Sequence, residues 1–193
     1  TIEDHIVVIA SPTDTHIPLL NISLDQRPKI ILVEKPLTID IENARPILER
    51  ARRLQVPIIV NYNRRFDERF QQLKDSLPKH PNSIVVEYTK GVYNYASHFI
   101  DLVLDWYGEV ASVQALGMYN ANMSDPCPSF ILYMKAGFEV FFLGYDHLNY
   151  DCLDMSIRSS NRLINLRAGG AEIIFEEAVR DAFYRGYNHM RPN

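Results

Sequence analysis

Four consecutive aliphatic residues, Ile30 to Val33, run straight into Glu34, Lys35 and Pro36. A continuous apolar run bounded by breakers reads as a strand buried on both faces, the kind found in parallel sheets. Pro36 fixes the backbone where that strand stops. In open α/β sheets, ligands sit in the crevice beyond the carboxyl ends of the strands. An acid and a base delivered there are placed for chemistry. Taken alone, Glu34 and Lys35 read first as the solvated end of a strand.

The same signature recurs on either side. His5 to Ala10 is a second buried strand, ending at the polar loop Ser11-Pro12-Thr13-Asp14-Thr15-His16, and Pro57 to Tyr62 is a third. Ile17 to Leu24 reads as a short helix. Asp40 caps a longer one whose apolar positions Ile41, Ala44, Ile47, Leu48, Ala51 and Leu54 keep helical spacing. Pro46 falls inside it and is expected to kink it or to leave a carbonyl unpaired. Strand–helix–strand alternation at this spacing means βαβ units and a parallel sheet. Phe66 to Leu77 reads as a further helix, bounded by Pro78 and Pro81.

After residue 82 the pattern changes. Ser83–Thr89, Ser112–Tyr119, Ser129–Lys135, Phe138–Tyr145, Asp154–Ser159 and Arg162–Arg167 read as successive strands. Ala136-Gly137 and Ala168-Gly169-Gly170 supply turns. One long helix interrupts them, Tyr95 to Tyr107, with Gly108 as its cap. The fold class is therefore α/β: a partial parallel sheet, then an α+β domain with a mostly antiparallel open sheet. The boundary is expected near residues 61 to 82. Ser129–Lys135 and Phe138–Tyr145 are apolar on both faces, which one layer of helices cannot cover, so a homodimer or higher homo-oligomer packed through this sheet is expected.

Composition narrows the function classes. A net charge of −4 over 193 residues gives no basic footprint for nucleic acid. Two cysteines outside any C-x-x-C pattern point to a reducing compartment, hence the cytoplasm, and to no disulfide framework. No run is long and apolar enough for a membrane span, and no signal peptide is visible. No glycine precedes Gly91, so a Gly-rich phosphate loop is absent from the first half. Beginning at Thr1 just before a core strand, the chain reads as a piece of something longer.

Four segments, in order, carry a resemblance: Val7 to His16, Glu34-Lys35-Pro36, Asn61-Tyr62-Asn63-Arg64-Arg65-Phe66, and Gly91 through Asp101. Together they resemble the Gfo/Idh/MocA oxidoreductases, relatives of glucose–fructose oxidoreductase and inositol dehydrogenase, over residues 5 to about 175. The resemblance implies a Rossmann dinucleotide-binding domain, of which residues 1–65 would be the C-terminal part, followed by a substrate and oligomerisation domain over 66–193. It implies NAD or NADP as cofactor and a sugar, sugar derivative or cyclitol as substrate. It also implies that the Lys35–Pro36 bond is cis.

By the same resemblance, Lys35 polarises the reacting carbon–oxygen bond, His98 transfers the proton and Asn94 orients the substrate. Ser11, Pro12, Thr13, His16, Glu34, Lys35 and Arg65 contact the cofactor. Asn94 stands where better-known relatives carry aspartate four residues before the histidine, so an Asp–His relay is absent; asparagine still hydrogen-bonds a hydroxyl. Without the resemblance, His98 reads equally as a helix cap or as a partner of Asp101 one turn on. That pair has helical metal-ligand spacing, but with no third ligand evident no metal is expected. The family's G-x-G-x-x-G loop is missing from this stretch, so the fragment alone is expected to be inactive. The rival reading is a non-catalytic dimerisation or regulatory module that keeps the oxidoreductase fold.

Overall fold

The computed structural model describes residues 4–117 and 123–177. The chain parts into two compact units, 1–64 and 65–193.

In the first unit, β1 (Ile6–Ile9), β2 (Ile30–Val33) and β3 (Ile58–Val60) form a parallel sheet in that order, Val7 opposite Ile31 and Leu32 opposite Ile59. Helices α1 (His16–Asp25) and α2 (Ile41–Leu54) make the crossovers. Asp40 caps α2 by accepting the Glu42 N–H at 2.9 Å, and Gln55 ends it in the left-handed conformation at φ 57°. The helix runs unbroken through Pro46, whose missing N–H leaves the Glu42 carbonyl without its helical donor.

Ile9, Ile31 and Val33 bury against Leu20, Leu24, Ile47, Ala51 and Val56. The expectation of strands buried on both faces is met on this side alone. On the other, Ile6 and Val8 are 64% and 62% exposed, because both described helices lie against the opposite face.

The second unit is a seven-stranded sheet ordered β10-β9-β8-β4-β7-β6-β5. Its strands are β4 (Ser83–Tyr88), β5 (Val110–Leu116), β6 (Ser129–Met134), β7 (Glu139–Gly144), β8 (Leu153–Arg158), β9 (Arg162–Arg167) and β10 (Glu172–Glu177). Every pairing is antiparallel except β4 with β7. α3 (Glu68–Ser76) and α4 (Ser97–Tyr107) cover one face, where Phe70, Leu73, Phe99 and Leu102 join Ile84, Val86, Val140 and Phe142 in the larger core. Phe130 and Phe142 stack with centroids 4.7 Å apart.

The alternate residues Val85, Ile131, Phe141 and Leu143 share the opposite face, where no described helix lies. β5 stops at Leu116 before Gly117 at φ 70°; the expected end at Tyr119 lies outside the described residues. β10 was not foreseen.

Candidate functional site

The polar residues of the first unit collect where β1 and β2 end side by side. After β1 the chain turns through Pro12 into a 3-10 turn, Thr13–Thr15, that leads into α1. The Ser11 and Thr15 hydroxyls lie 2.6 Å apart, and the Thr15 hydroxyl also donates to the Pro12 carbonyl at 2.7 Å. At the end of β2 the Glu34 N–H still pairs with the Ile9 carbonyl at 2.9 Å, which aligns the two loops. Asn61, just past β3, donates its side-chain amide to Glu34 Oε1 at 2.7 Å. Lys35 follows, half-buried, and its bond to Pro36 is cis.

His16 is fully buried beneath both loops. Its Nε2 faces the Ser11 carbonyl at 2.9 Å, and its Nδ1 faces the carbonyls of Pro36 at 3.0 Å and Leu37 at 3.3 Å. The ring is a strut between the loop after β1 and the turn after β2.

In the second unit, the chain leaves β4 through Lys90 at φ 55° and Gly91 at φ 90°. A π-helical turn, Val92–Ala96, then opens into α4. Asn94 stands exposed on the turn, and His98 sits half-buried in the first turn of α4 with its Nδ1 buried. The Ser97 hydroxyl donates to the Tyr93 carbonyl at 2.7 Å. Lys90 pairs with Asp151 and lies 5.4 Å from the centre of the Tyr95 ring; the bond to Asp151 holds its pKa above the usual lysine value.

Asp125 accepts the N–H groups of Tyr93 and Asn94 at 2.9 and 2.8 Å. The Gly91 N–H points to Cys127 Sγ at 3.1 Å, and burial pushes that thiol up.

Arg65 belongs to this unit. Its guanidinium forks onto Asp101, with Nε donating at 2.9 Å and the second nitrogen meeting the other oxygen. A fork of this kind fixes both partners. Asp101 is therefore held by Arg65, and Arg65 ties the start of the unit to α4. Among the described residues no group of three or more His, Cys, Asp or Glu side chains is placed to hold a metal ion, and no helix is long and apolar enough to cross a membrane.

Residues the sequence reading missed are Asn61 and Asp125. Asn61 lay inside a quoted motif and one residue past a strand end, a usable signal. Asp125 had none, since its partners lie 31 and 32 residues away.

Residues 3–62 match the model of the Gfo/Idh/MocA oxidoreductase family, described as having an NAD-binding Rossmann fold. The first unit thus resembles the NAD-binding part of that family over nearly its whole length. An inositol 2-dehydrogenase of Mycolicibacterium smegmatis is 44% identical over 69 residues, 35% of this chain and 20% of that protein. One from Rhizobium meliloti is 35% identical over 71 residues, 37% of this chain and 21% of that protein. The matched stretch thus spans about a fifth of the length of these relatives.

Solved structures extend the likeness of fold to the second unit. UDP-N-acetylglucosamine 3-dehydrogenase GnnA from Acidithiobacillus ferrooxidans superposes with a TM-score of 0.74 at 18% identity, covering 97% of this chain and 70% of that one. The WlbA dehydrogenase from Bordetella pertussis, in complex with NADH and UDP-GlcNAcA, gives 0.76 at 15% identity over 95% of this chain and 64% of that one.

Proposed function

We propose that this chain is part of an NAD(P)-dependent oxidoreductase that interconverts a secondary alcohol and a ketone on a sugar, sugar derivative or cyclitol. One observation carries the reading. Ser11, Pro12, Thr13, Glu34 and Lys35 converge at the ends of two adjacent parallel strands, within the stretch 3–62 that matches the oxidoreductase family model. That crevice is where an α/β sheet takes its ligand. Polar loops of this kind suit the nicotinamide half of a dinucleotide, which when bound accepts or returns the hydride.

The chain's own residues divide the remaining work. Lys35 hydrogen-bonds the substrate oxygen and polarises its bond to carbon. In the oxidative direction the hydroxyl proton passes to His98, whose imidazole suits proton transfer near neutral pH. Asn94 orients a neighbouring hydroxyl by donating and accepting. Ser11, Pro12, Thr13 and Glu34 line the nicotinamide side, His16 holds their loops in place, and Arg65 acts by bracing α4 through Asp101. Two cysteines without a disulfide fit a cytoplasmic enzyme.

The test is calorimetric titration of the full-length protein with NADH and with NADPH. Binding with Kd on the order of micromolar is expected for at least one of them. Binding of neither would leave the fold as an inert module and overturn the reading.

A further inference from the structure

We propose that Asp125 is a positioning residue for Asn94, acting as a helix cap supplied from outside the helix. This rests on the role of Asn94 given above. A helix usually has its first N–H groups met by a side chain at its own N-cap. Here that position is Gly91, which has none to offer. Asp125 fills the role: Oδ1 accepts the Tyr93 N–H at 2.9 Å, and Oδ2 accepts the Asn94 N–H at 2.8 Å. Its negative charge also complements the positive end of the helix dipole.

Gly91 and Asp125 are matched in space. A Cβ on Gly91 would lie 1.9 Å from Asp125 Cγ, so the carboxylate occupies the place a side chain would need. The backbone around Asp125 is tied to the same loop. The Val92 N–H donates to the Pro126 carbonyl at 2.8 Å, and the Gly91 N–H to Cys127 Sγ at 3.1 Å. Asp125 thus enters from a braced segment.

The turn it holds is wider than an α-turn. The Ala96 N–H reaches back to the Gly91 carbonyl at 3.3 Å, and the Ser97 N–H to the Val92 carbonyl. Single π-turns of this sort recur at functional sites. Asn94 lies within the turn, so its geometry sets the direction of that side chain. By fixing the amides of residues 93 and 94, Asp125 fixes that direction.

The test is a double-mutant cycle in the full-length enzyme, joined to hydrogen exchange at the Tyr93 and Asn94 amides. Asp125→Asn keeps the size and turns one acceptor into a donor facing an N–H. Exchange at both amides is expected to rise about tenfold or more. The loss in kcat/KM is expected to be about tenfold and carried mainly by KM, because the substrate contact of Asn94 is displaced. Introduced beside Asn94→Ala, the same change is expected to cost less than about twofold more.

A purely structural role would lower kcat with KM unchanged and cost the same in both backgrounds. That result, or unchanged exchange, overturns the proposal. Asp125→Ser serves if Asp125→Asn fails to fold. If the wild-type enzyme oxidises no polyol, the functional reading fails separately, and exchange still decides whether Asp125 holds the turn.

Discussion

His16 shows how a buried residue can serve a site by holding its loops in place. Both of its ring nitrogens are spent on carbonyls from the two loops that carry Ser11 and Pro36. A carbonyl oxygen can only accept and a neutral imidazole donates from one nitrogen, so removing the ring orphans at least one acceptor, at about 1–3 kcal/mol, and opens a cavity beneath the two loops. His16→Ala is expected to lower the unfolding free energy by about 2–4 kcal/mol in urea titration. A change within about 0.5 kcal/mol would show that the strut carries nothing.

At the level of elements, Phe142 in β7 is the most informative position. It is fully buried, stacks on Phe130 and meets Tyr88 edge-on with centroids 6.5 Å apart. Phe142→Ala is expected to cost about 3–5 kcal/mol by denaturant titration, since so enclosed a site cannot collapse around the gap. A cost below about 1 kcal/mol would contradict the packing described.

Most elements were legible because apolar periodicity is strong in β1, β2, α2 and the central strands. β10 was not. Its apolar residues Ile173, Ile174 and Phe175 sit between glutamates, and only pairing with β9 makes them a strand. The wide turn at Val92–Ala96 was equally hidden, since it depends on a carboxylate remote in sequence. The cis bond at Lys35–Pro36 and the gathering of Ser11 to Thr13 beside Glu34 and Lys35 were foreseen through family resemblance, because local sequence carries no signal for either.

On the scale of the whole molecule, the open face of the large sheet is the feature that calls for a partner. Val85, Phe141 and Leu143 lie there half-buried, side by side on β4 and β7, with Ile131 of β6 next to them. Apolar surface of this kind in the middle of a sheet favours a second copy of the chain. Light scattering of the full-length protein is expected to give a dimer or larger assembly, and Phe141→Asp to shift it toward monomer. A wild-type protein that scatters as a clean monomer would refute this.

Turnover by Lys35→Met tests the proposed catalytic role of Lys35 most directly. Methionine keeps the length of the side chain and removes its charge and all three N–H donors. With wild-type full-length protein oxidising a polyol in the presence of NAD or NADP, Lys35→Met is expected to fold, still bind reduced cofactor and lose about a thousandfold or more in kcat. Retention of most of the wild-type kcat would contradict it.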